Sequence, residues 1–182
     1  MPRKSLFLPL LFISFLLTSC EFHCSVGDAG REEKTKPAEK NGMALYNGIQ
    51  LDTRGVRLNK AFLVTNDEKA ERIDEGNVVD VKRGVKLLLF IDQGWKETDD
   101  RVFLGASLKV VADNGQKVLQ EDDLFSQYDR NGITPADAKV VGLSVFFNSP
   151  EANRSVSFDV TFRVWDKKGD GLIEGSYTFH TK

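Results

Sequence analysis

A chain of 182 residues with 25 basic and 27 acidic side chains has room for one ordinary domain and carries no excess of positive charge. With no polybasic stripe along it, the sequence excludes nucleic acid as an electrostatic partner. Its two cysteines, Cys20 and Cys24, exclude a disulfide framework, so the fold must rest on an apolar core.

In chain order, the basic head Pro2-Arg3-Lys4 precedes an apolar run from Leu6 to Leu17, after which small residues lead to Cys20. This is the layout of a secretory leader, too short for a span of ~20 apolar residues. Its last four residues, Leu17-Thr18-Ser19-Cys20, resemble the lipobox of bacterial lipoproteins. In that family the chain is cut before the cysteine, which then carries a diacylglycerol and usually a further acyl chain such as palmitate. The resemblance implies a signal peptide over 1–19, a lipid anchor on Cys20 and a place in the cell envelope, expected at the outer membrane.

Residues 20–43 are charged and small, with Gly27, Gly30, Pro37 and Gly42 scattered through them. Such a stretch buries too little surface to offset its ordering entropy and is expected to be a disordered tether. His23 and Cys24 lie in it without the further ligands that a zinc site requires. No metal or cofactor is expected.

From Ala44 to Lys182 the apolar period becomes two. Val56, Leu58 and Ala61-Phe62-Leu63-Val64 predict one strand, and Val85 to Ile91 a central one, apolar on both faces at Leu88 and Phe90. Val102 to Ala112 alternates cleanly. Asn114-Gly115 then predicts a two-residue hairpin, with both central positions at positive φ, into Lys117-Val118-Leu119. Residues 121–138 break the rhythm. Leu124, Phe125 and Tyr128 suggest one helical turn and Thr134-Pro135 the start of another, in a crossover expected to cover Leu88 and Phe90. Val140 to Phe147 is the next strand. Ser155 to Asp166 then places Val156, Phe158, Val160, Phe162 and Val164 on one face, and Lys167 to Gly171 turns it into a closing strand, Leu172 to His180.

These elements predict an all-β fold, an antiparallel Ig-like β-sandwich of 7–8 strands with one or two short helical turns. A closed lipocalin-like barrel is the alternative, disfavoured by the interruption at 121–138. The chain also resembles, diffusely, uncharacterised β-sandwich lipoproteins of Bacteroidota-type bacteria, which implies no activity.

Residues that carry chemistry are few. His23 and His180 are unaccompanied, and the glycines at 169 and 171 sit in a hairpin rather than ahead of a helix, where a phosphate loop needs them. Asp166 to Gly171 has the look of a calcium loop, but lysines stand at 167 and 168. The loop Asp92–Asp100 draws more interest. Trp95 is there a lid on the sandwich end or an exposed contact, with Asp92, Lys96, Asp99 and Asp100 as polar neighbours. The expected function is a non-catalytic module that binds an envelope protein or glycan. The alternative is a carboxylate-dependent envelope hydrolase built on Asp99-Asp100 or Asp122-Asp123.

Overall fold

Alternation of large apolar and polar side chains in the last third of the sequence builds the middle of one sheet. In the computed structural model, which describes residues 38–146 and 156–181, strand β12 (Ser157–Asp166) pairs along its whole length with β13 (Leu172–Thr181) and, on its other side, with β9 (Leu104–Ala112). The edges are β10 (Lys117–Glu121) beyond β9 and β3 (Gln50–Arg54) beyond β13, giving the order β10-β9-β12-β13-β3 for sheet B. A short β5 (Val78–Val79) runs parallel to the far end of β13. Phe158, Val160, Phe162 and Val164 are buried on the inner face, each contributing on the order of 1.5–3 kcal/mol before entropy is subtracted.

Sheet A has the order β1-β2-β4-β6-β11, from β1 (Ala38–Lys40), β2 (Met43–Leu45), β4 (Arg57–Thr65), β6 (Val85–Gln93) and β11 (Val140–Val145). Leu63, Leu87, Leu89, Val141 and Leu143 of this sheet join the inner residues of sheet B in one continuous core. The fold is thus a β-sandwich of two open sheets and not a closed barrel, compatible with the Ig-like expectation. Eight of its strands have five residues or more. The remainder are short pairings at edges and loops, among them the ribbon of β7 (Glu97–Thr98) and β8 (Arg101–Val102).

Three expectations need correction. The hairpin at Asp113-Asn114-Gly115 has three loop residues. Ala112 N–H donates to Gln116 O, Gly115 N–H to Ala112 O, and Gly115 alone takes a positive φ there. Asn114 instead spends its side chain on the Gln116 N–H. Second, the domain does not start at 44. Asn41 and Gly42, at φ 52° and 77°, turn β1 into β2, so Ala38–Lys40 and Met43 belong to the sheet. Third, the crossover does not cover Leu88 and Phe90. It makes 3-10 turns at Ser126–Tyr128 and Asp137–Lys139, but Leu124, Phe125, Ile133 and Ala138 pack on the main core. Phe90 is covered from within its own sheet, stacked on Phe62 with ring centroids 5.3 Å apart.

A buried polar knot ties the two sheets together. Asn47, 1% exposed, donates through Nδ2 to Ile73 O and Asn77 Oδ1, and its Oδ1 accepts the Leu63 N–H. Asn77 Nδ2 donates to Asn47 O and, at 2.7 Å, to Thr178 O on β13. Both asparagines sit at positive φ, a conformation that asparagine tolerates better than most residues.

Candidate functional site

The loop Asp92–Asp100 leaves sheet A at one end of the sandwich. Gly94 makes the exit possible: its φ is 122°, and a Cβ there would lie 2.2 Å from Gly55 O. Trp95 then folds inward, half-buried against the core. Its ring lies over Gly171, where a Cβ would come within 2.9 Å of it, and its Nε1–H donates to Ala138 O at 3.1 Å. The indole therefore joins three pieces of chain, the loop, the crossover and the β12–β13 turn, and works as the lid of the two readings its sequence context allowed.

Asp166 fixes the next residue. Its Oδ2 accepts the Lys96 N–H at 2.6 Å, while Oδ1 accepts the N–H groups of Lys168 and Gly169 at 2.8 and 2.9 Å. The carboxylate that opens the calcium-like sequence thus organises a turn. Beyond Lys96, Asp99 and Asp100 (φ 52° and 57°) form the tight turn of the β7–β8 ribbon and are exposed, as is Lys96. Asp92 goes elsewhere and accepts from Arg57 Nε at 2.5 Å. Of the five residues singled out in this loop, the fold presents Lys96, Asp99 and Asp100 outward, commits Trp95 to the lid and pairs Asp92 with β4.

The sequence singles out Asp166 only as the head of a calcium-like stretch and Asp123 only as half of a carboxylate pair; the turn that Asp166 holds and the clamp beside it are not foreseen. Lys167 Nζ donates to Asp123 Oδ2 at 2.5 Å and to Asp129, pinning the crossover to the β12–β13 turn. Burial pushes the Asp123 carboxyl up, but Lys167 and the N–H groups of Phe125 and Ala106 outweigh it and hold the group below its usual range. For Lys167, burial works downward and the two carboxylates raise it. An aspartate at a strand end ahead of Lys-Lys-Gly-Asp-Gly was the available signal for Asp166. The partners of Lys167 lie 38 and 44 residues away and left no local trace.

The two outer faces of the sandwich differ. On sheet B a shallow depression of about 440 Å³ is lined by Lys40, Gln50, Asp52, Thr161, Arg163 and Glu174. Its charges are matched, Lys40 with Asp52 at 2.7 Å and Arg163 with Glu174 at 3.5 Å. On sheet A, Tyr46, Phe62 and Val64 form a separate apolar cluster with Ala44, Leu88 and Phe90. Cations lie on it: Lys60 is 4.8 Å from the Phe90 centroid and Arg72 is 4.3 and 4.5 Å from those of Tyr46 and Phe62.

Cys20, with the leader and most of the tether, lies outside the described residues, as do His23 and Cys24. No protein-family model matches the chain, and neither a curated protein nor a solved structure matches it.

Proposed function

We infer that this chain is a lipid-anchored lipoprotein of the cell envelope whose β-sandwich is a non-catalytic binding module for an envelope protein or glycan. The lipobox-like Leu17-Thr18-Ser19-Cys20 supports the anchor. The observation that carries the binding reading is the mounting of the Asp92–Asp100 loop. Its base is fixed from below by the Trp95–Ala138 and Lys96–Asp166 hydrogen bonds, and its tip carries exposed charge. A rigid scaffold that presents a short polar loop needs little ordering on contact, so a larger share of the contact energy appears as affinity.

Two experiments test this reading. Cys20→Ala should abolish incorporation of labelled palmitate and leave the leader uncut; an acylated, mature mutant refutes the anchor. For the loop, the combined variant Lys96→Glu, Asp99→Lys, Asp100→Lys should keep the melting temperature of the native chain and lose what the native chain retains from envelope protein or glycan fractions. Unchanged retention removes the loop from the binding site. Trp95→Ala serves as the contrast, since loss of a lid of this kind lowers stability by about 3–5 kcal/mol and the melting temperature with it.

A further inference from the structure

We propose that the Asn41-Gly42 turn is a site of spontaneous modification, where the asparagine closes to a succinimide and reopens as isoaspartate, releasing strand β1. The sequence holds four Asn-Gly pairs, at 41, 47, 114 and 131. Glycine has no side chain to shield its nitrogen, so each pair offers the same reaction in an unfolded chain. The fold treats them differently. Asn47 is buried, with both atoms of its amide bonded. The Gly115 N–H donates to Ala112 O at 2.8 Å, and Asn114 Oδ1 accepts the Gln116 N–H. The Gly132 N–H donates to Tyr128 O at 2.7 Å, and that glycine is buried. Asn41 and Gly42 are both exposed, and among the described residues neither the Asn41 amide nor the Gly42 N–H has a partner.

Ring closure needs a backbone that a tight turn does not offer, so its rate follows how easily the turn opens. Strand β1 is three exposed residues at a sheet edge, fastened by β2 and by Lys40 Nζ, which donates to Leu51 O at 3.0 Å and to Asp52 Oδ1 at 2.7 Å. That ion pair is open to solvent and restrains the strand little. The step balances without a cofactor. The Gly42 nitrogen, its proton lost to hydroxide, bonds to Asn41 Cγ; the Cγ–Nδ2 bond breaks, and the side-chain nitrogen leaves as ammonia. Water then adds to one of the ring carbonyls, giving aspartate or isoaspartate. Isoaspartate carries the main chain through its former side chain, a methylene longer, and no longer fits a two-residue loop at φ 52° and 77°. Strand β1 then detaches from β2, and Lys40 leaves the depression on sheet B with Asp52 unmatched.

The test ages the full chain in mildly alkaline buffer and follows every Asn-Gly pair by peptide mass spectrometry, with a methyltransferase specific for isoaspartate. Asn41 should convert at least about five-fold faster than Asn114 and Asn131, whose glycines must each first give up an ordinary hydrogen bond. Asn47 should convert last. In concentrated urea all the pairs should convert at one rate. The aged chain should lose hydrogen-exchange protection where β1 pairs with Met43–Leu45. Asn41→Gly keeps a pair that forms this turn and removes the reactive amide, so its protection should survive ageing. Conversion of Asn114 or Asn131 ahead of Asn41 overturns the proposal. So does a lead for Asn41 that persists unchanged in urea, because the order would then come from sequence alone. Isoaspartate at position 41 with β1 still protected overturns the release of the strand.

Discussion

At the scale of single residues, two buried polar groups have opposite standing. Asn47 has its amide nitrogen and oxygen satisfied by three residues on two segments of chain, Ile73 and Asn77 in one loop and Leu63 on β4. Asn47→Ala would leave the Leu63 N–H and two acceptors buried without a partner, and should cost about 2–4 kcal/mol, read as a lower urea midpoint at unchanged m-value. Tyr177 is the reverse. Its side chain is buried, yet its hydroxyl finds no partner among the described residues. Tyr177→Phe should therefore be neutral or stabilising by about 1 kcal/mol. Burial also raises the phenol well above its ordinary value, so the unfolded chain ionises first. The stability held by the neutral phenol is complete below pH ~10 and falls as pH rises past it. Tyr177→Phe should flatten this alkaline decline, which denaturant titrations at a series of pH values would show.

Among the elements, the crossover 121–138 depends on its clamp. With its carboxyl held below the ordinary value, Asp123 contributes stability that is full above pH ~3.9 and is lost as pH falls through the folded-state value. Lys167→Met removes the ammonium, so the variant should be less stable at neutral pH and draw level with the native chain in strong acid. Denaturation midpoints at the two pH values measure the gap. The strands were legible wherever one face is buried and the other wet, as in Ser157–Asp166 and Leu172–Thr181, because alternation is what such burial imposes. Strand β6 was legible as apolar on both faces, but Phe62 and Phe90 carry no mark in sequence of stacking on each other. The Asn-Gly pairs make the same point. Asn114-Gly115 sits between two alternating runs yet yields to a side-chain bond, while Asn41-Gly42, hidden in a charged stretch, makes the two-residue turn. In the candidate site, the loop could be found from its tryptophan. The role of that tryptophan depended on a carbonyl 43 residues away.

For the molecule as a whole, the core residues of both sheets belong to one cluster. Unfolding should then be a single transition. Trp95 and Trp165 are separate reporters, one lying over Gly171 and the other across Gly105. Tryptophan fluorescence and far-ultraviolet circular dichroism should give superimposable urea curves for the described domain. A fluorescence change that precedes the loss of sheet signal would mean that the lid end opens on its own. The same unity explains why Asn47, in a turn between the two sheets, matters more than its exposed neighbour Gly48.

The pairing of β3 with β13 has a kinetic consequence. Leu51 can enter the core only beside Gly175, and Asn77 reaches its carbonyl acceptor at Thr178 across 101 residues of chain. Contacts of that sequence separation impose their loop-closure entropy before they return any stabilisation, which places the protein among slow, millisecond-to-second folders. During synthesis, the N-terminal segment that makes β3 must remain without its neighbour until a strand more than a hundred residues downstream has been made. Sheet B therefore assembles late, and its N-terminal edge is the part of the nascent chain that stays open longest.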